Sequence, residues 1–115
     1  MITIRRDQYE IMEKAVVEHF IADLVDHLKK SYPDKTGSFS DKALFDECRN
    51  GIERAKLYGL EAASHWRVFM EIRLQRGANF DRQEWAAAIL NNASLFPHEK
   101  IEGLDDAHQM LEAGD

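Results

Sequence analysis

Residues 51–85, GIERAKLYGLEAASHWRVFMEIRLQRGANFDRQEW, read as the end of one helix, the whole of a second and the start of a third. Gly59 follows Tyr58 and Gly77 follows Arg76, each where a helix end calls for a residue that tolerates the left-handed conformation. Asp81 and Glu84 have the spacing of a capping box, which predicts that Asp81 opens the next helix. Between the glycines, about 61–76, Trp66, Phe69, Met70 and Arg73 fall on one side and Val68, Ile72 and Gln75 on the adjoining one. Such a wide apolar arc fits either a buried central helix or a symmetric dimer face. Gly51 lies inside a helix, where glycine costs about 1 kcal/mol relative to alanine, so its expected use is to let another helix come close.

Upstream, residues 6–31 carry Tyr9, Met12, Val16, Phe20, Leu24 and Leu28 at steps of three or four, with Val17, Ile21 and Val25 widening the stripe, which predicts a long first helix. Its other face alternates charges, and Glu10 to Lys14 has the order and spacing of an intrahelical pair. Tyr32-Pro33 ends it, because a residue before proline is driven out of helical geometry, and Asp34-Lys-Thr-Gly-Ser supplies a short polar connection. Ser40, or else Ser38, caps a second helix carrying Leu44, Phe45, Cys48, Ile52, Ala55 and Tyr58. Downstream, Trp85, Ala86, Ile89 and Leu90 line a short fourth helix closed by Asn91-Asn92. Pro97 suits the first position of a fifth, about 97–112, with Ile101, Leu104, Ala107, Met110 and Leu111 as its apolar stripe. Ile2-Thr3-Ile4 is the only β-like fragment. The expected fold is all-α, one compact single-domain bundle of about five helices spanning residues 1–115.

The composition, 44% hydrophobic and 31% charged, is that of a globular chain, and no apolar run nears the roughly 20 residues of a membrane helix. The N-terminus lacks the pattern of a secretory signal, and Cys48, the one cysteine, has no internal disulfide partner; both point to the cytoplasm. From Pro97 onward six carboxylates face Lys100 alone, carrying −5 of the net −6. No basic stripe compensates elsewhere, which argues against nucleic acid as a partner, and no segment suggests a membrane.

Chemistry-bearing residues are sparse. His19, Asp23 and His27 follow at steps of four on the first helix beside Asp26, and zinc could use such a face with His65 from another element. Steps of four drift by about 40°, so the histidines diverge and a solvated face of Asp–His pairs is favoured. None of the five histidines has a glutamate three residues before it, against a di-iron bundle. Cys48 sits in an apolar stripe, which favours a buried inert thiol over a nucleophile. Ser38, Ser40, Ser64 and Ser94 occupy cap and turn positions, and the pairs Glu10 with Glu13 and Asp105 with Asp106 sit on polar faces. No catalytic, cofactor or metal site is assigned. Trp66, Phe69 and Phe80 are either core or interface anchors, and the acidic fifth helix with Asp105 and Asp106 is either solvated or a dock for a basic partner.

The pattern Gly51-Ile-Glu-Arg54-Ala-Lys-Leu-Tyr58-Gly59-Leu60, Phe69, Gly77-x-x-Phe80-Asp81, Trp85-Ala86 and Ile89-Leu90 resembles a family of small proteins encoded in bacterial type VI secretion loci. The opening Ile-Thr-Ile-Arg-Arg-Asp-Gln is similar to theirs as well. The resemblance implies a non-enzymatic accessory role beside spike, PAAR-tip or toxin proteins: a co-chaperone or adaptor for effector loading, or an immunity protein that neutralises a cognate toxin. It carries no catalytic motif and no established functional residues. The residues themselves give Arg54, Tyr58, Gly59, Phe80 and Asp81 a structural task, with Asp81 capping a helix and Arg54 pairing with it across the junction. A metal- or cysteine-dependent enzyme using His19, Asp23, His27, His65 or Cys48 is the expectation from a different class.

Overall fold

A computed structural model of the chain describes residues 6–114, with side chains from residue 15 onward. The expectations for Ile2-Thr3-Ile4, for the side chains of Tyr9 and Met12, for the Glu10–Lys14 pair and for Glu10 with Glu13 lie outside these described residues. Six helices follow in order: α1 (Arg6–Ser31), α2 (Pro33–Thr36), α3 (Asp41–Leu57), α4 (Ala63–Arg76), α5 (Glu84–Leu90) and α6 (Pro97–Ala113), with a 3₁₀ turn at Phe80–Arg82 before α5. There is no strand among the described residues, and the fold is all-α. No helix among them is long and apolar enough to cross a membrane. The helices gather into two compact units, Met1–Phe45 and Asp46–Asp115, the division falling inside α3.

In the first unit α1 buries Ile21, Leu24, Val25 and Leu28. Val16, expected in that stripe, is 68% exposed, because the run Val16, Phe20, Leu24 turns by about 40° at each step and its early members leave the buried face. The expected loop after Tyr32 contains a helical turn of its own. Pro33 starts α2 with a preset φ, the Thr36 hydroxyl donates to the Tyr32 carbonyl at 3.0 Å, and Thr36 is buried. The Ser40 hydroxyl accepts from the Ala43 N–H at 3.1 Å and caps α3, so Ser40 and not Ser38 is the cap. Lys29 of α1 pairs with Asp41 in the first turn of α3.

In the second unit the buried hydrophobic side chains are Cys48, Ile52 and Ala55 of α3, then Leu60, then Trp66, Phe69, Met70 and Ile72 of α4, Phe80 of the 3₁₀ turn, Ala86 and Leu90 of α5, and Ile101 and Leu104 of α6. Gly51 lets α3 and α4 come close: a Cβ there would stand 1.9 Å from the Met70 sulfur and 3.2 Å from Arg73 Cδ. Gly59 (φ +82°) and Gly77 (φ +105°) end α3 and α4 in conformations that an L side chain resists. Pro97 opens α6, and the Phe96 N–H donates to the Glu99 carboxylate at 2.9 Å.

Two sequence expectations are corrected here. Asp81 does not cap a helix: α5 begins at Glu84 after Gln83, and the Asp81 carboxylate is committed to side chains instead. The buried stripe of α6 is Ile101, Leu104 and His108, leaving Met110 75% and Leu111 40% exposed. Position 108 is seven residues after Ile101, so it returns to the same face, and an imidazole fills it where an apolar residue was expected.

Candidate functional site

Two arginine clamps, the pair that the buried Arg73 makes with Glu47, and one free helix face carry polar chemistry in the second unit. In the first clamp, Arg54 on α3 donates from Nε to Asp81 Oδ2 at 3.0 Å, and its Nη2 pairs with the same oxygen. Arg54 Nη2 also lies 3.2 Å from the Tyr58 hydroxyl, which donates to Asp81 Oδ2 at 2.6 Å. One oxygen of a buried carboxylate thus receives three donors, while Oδ1 is buried without a partner. Burial alone would raise the Asp81 pKa, but the hydrogen bonds from Tyr58 and Arg54 outweigh it and hold the carboxyl below its usual range. Burial first, and then the bond to Asp81, push the Tyr58 hydroxyl upward. Helical spacing puts Arg54 and Tyr58 one turn apart on one face, so both reach the segment after Gly77.

Aromatic rings back this clamp. Phe69 and Phe80 stand 4.9 Å apart at 57°, Tyr58 lies 6.4 Å from Phe69, and Trp85 lies 6.2 Å from Phe80. Arg73, buried at 7% exposure, donates to Glu47 at 2.7 Å and to the Ala78 carbonyl at 3.1 Å, tying α4 both to α3 and to the turn after Gly77.

The second clamp closes α4 on α6. Arg76 donates from Nε to His108 Nδ1 at 2.6 Å, and its Nη2 lies 3.4 Å from the His108 carbonyl and 3.2 Å from Glu112 Oε1. The guanidinium also sits 5.4 Å from the centre of the Trp85 ring. Arginine has no acceptor, so His108 Nδ1 must offer a lone pair and the ring is neutral. Burial, reinforced by the Arg76 charge, lowers the His108 pKa against the opposing pull of Glu112 and Asp105.

The free face belongs to α6. Lys100, the only Lys or Arg of the helix, donates to the Tyr58 carbonyl at 3.0 Å and is thereby turned toward the turn that follows α3. Glu102, Asp106, Gln109 and Met110 are exposed on the side opposite the buried stripe. Asp105 is partly buried and accepts from Gln109 at 3.1 Å.

The residues expected to meet a partner therefore divide into two sets. Trp66, Phe69 and Phe80 are core side chains at 9%, 0% and 0% exposure, and the Trp66 indole donates to the Leu60 carbonyl at 2.7 Å. As placed, Phe69 and Phe80 offer no surface, because the turn after Gly77 folds Phe80 onto α4. Asp106 stands at the surface with Asp105 beside it. Of the residues considered for chemistry, His19 and Asp23 form an exposed pair at 3.6 Å in the first unit, and His65 lies in the second. Among the described residues no group of three or more His, Cys, Asp or Glu side chains is placed to hold a metal ion. Cys48 is fully buried, and burial, with Glu47 adding and Arg73 opposing, pushes its thiol up to about 12.

Sequence reasoning did not single out Arg76 or His108. The signal was available: His108 completes the Ile101, Leu104 stripe at helical spacing, and Arg76 ends the apolar α4 one residue before its terminal glycine.

These features define an all-α protein whose interior charges are paired within its own scaffold. No known protein family, curated protein or solved structure matches the chain.

Proposed function

We propose that this protein is a non-enzymatic binding factor, a co-chaperone or adaptor that helps load effectors in type VI secretion. The observation that supports a binding role is the outer face of α6, where Glu102, Asp106 and the exposed Met110 follow one another at one-turn steps and Lys100 is drawn away. An anionic helix face with an adaptable apolar centre suits a basic amphipathic segment of another polypeptide, its charge guiding encounter and methionine filling the contact. The type VI setting rests on the resemblance of residues 51–90, whose quoted members include the first clamp and the helix-ending glycines. Such residues specify a scaffold that presents a surface.

Co-expression with the products of neighbouring genes tests the adaptor role: the protein should co-purify with an effector or its chaperone, and Asp106→Lys together with Met110→Lys should release it. Recovery of the wild-type chain alone would refute it. The same acidic face fits the cationic cleft of a toxin that acts on nucleic acid, which makes an immunity protein the second reading. Survival of cells making the adjacent toxin only when this chain is present would select that reading over loading.

A further inference from the structure

Arg76 closes α4 and reaches three acceptors on the last turns of α6: the His108 ring, the His108 carbonyl and the Glu112 carboxylate. Only the first is buried and titratable near neutrality. Of the elements packed on α6, α4 brings the Arg76 charge to the imidazole, and α5 brings the Trp85 ring under Arg76 while its own acid, Glu84, is exposed. On α6 itself Asp105 and Glu112 act on the ring.

We propose that Arg76, His108 and Glu112 form a proton-operated latch, in which uptake of one proton at His108 Nδ1 removes the acceptor of Arg76, sets two cations against each other and frees the end of α6 from α4. The proton occupies the lone pair that Arg76 Nε uses at 2.6 Å, so the bond and the imidazolium exclude each other. Glu112, 53% exposed, is too well solvated to neutralise both cations. The sign follows from the neutral ring being the folded form: the latch contributes fully above the ordinary histidine pKa and is lost as pH falls below it toward the lower folded value. Opening is favoured about tenfold for each pH unit by which the folded pKa lies under the unfolded one. This inference is independent of any partner.

The test is an NMR titration of the full chain from pH 7.5 to 5.0, following the His108 ring, the Arg76 Nε–H signal and amide exchange along α6 corrected for intrinsic rates. The expected result is that the Arg76 signal is lost and exchange at residues 108–112 rises with the same midpoint as His108, while the Arg54 Nε–H persists. His108→Gln, which keeps an acceptor and cannot take up the proton, should abolish that midpoint. Glu112→Gln, a surface change that leaves folding intact, should move it to lower pH. An Arg76 signal and an α6 end that stay unchanged through the His108 titration would overturn the latch. So would loosening with an unshifted midpoint in both variants.

Discussion

The two arginine clamps of the second unit use the same guanidinium for opposite ends. Arg54 closes on Asp81, a buried carboxylate that also takes the Tyr58 hydroxyl. Arg76 closes on His108, a buried neutral ring, with a solvated carboxylate at its edge. The acceptor decides how each clamp behaves. A carboxylate held below its usual range stays charged throughout the histidine range, whereas an imidazole takes up a proton there, in His108 at a pH below its ordinary value. The fold therefore has one junction that stays shut across the physiological range and one that acid weakens, and the second holds the helix with the free acidic face.

The largest expected effect breaks the first clamp. Asp81→Asn should destabilise the protein by about 3 kcal/mol near neutral pH, because Arg54 and Tyr58 lose the charged acceptor of a largely buried pair. Urea unfolding at several pH values checks both size and sign. The folded carboxyl is depressed, so wild type's advantage is present above the unfolded carboxylate range near pH 4 and shrinks as pH falls through the lower folded value. An advantage that instead vanished between pH 7 and 5 would remove the contrast between the clamps.

Gly51→Ala should cost about 2 kcal/mol although alanine is the better helix former, since the new methyl meets the buried Met70 sulfur and the clash outweighs the propensity gain. Thermal unfolding measures it, and a stabilised variant would show that α3 and α4 are not as close as described. Arg76→Ala should cost about 1 kcal/mol at pH 7.5, for a hydrogen bond to a neutral ring and a ring-face contact, and the loss should fade toward pH 5 as the latch opens in wild type. Glu112→Gln is the smallest, below about 0.5 kcal/mol, as expected for a half-exposed partner. A separate check concerns Cys48: a thiol-specific reagent should leave it unmodified in the folded protein at pH 8 and label it in denaturant.

Helix order and most helix ends were legible because they depend on local chemistry: Gly59, Gly77, Ser40 and Pro97 act within a few residues of the ends they set. The close approach at Gly51 and the Arg54–Asp81 pair could also be read, the first from the cost of glycine in a helix and the second from opposite charges flanking one junction. Asp81 was misread as a cap because Asp followed three residues later by Glu satisfies the local pattern, while the donors that claim its carboxylate lie 23 and 27 residues away. His108 was overlooked for a related reason. Assigning polar residues outward placed Ala107 and Met110 in the stripe, and the arginine that makes a buried histidine tolerable comes 32 residues earlier. The acidic free face was visible as composition, but that Lys100 is drawn off it depends on the Tyr58 carbonyl, in the turn that follows α3.

The central claim, that the chain works by offering the outer face of α6 to another polypeptide, is tested most directly by native mass spectrometry of the protein purified from cells co-expressing the products of the adjacent genes. A stoichiometric complex with one of those products, lost in the Asp106→Lys, Met110→Lys double variant while the variant's melting temperature stays unchanged, is the predicted result. A wild-type chain that emerges unaccompanied, or a complex that survives both substitutions, would contradict it.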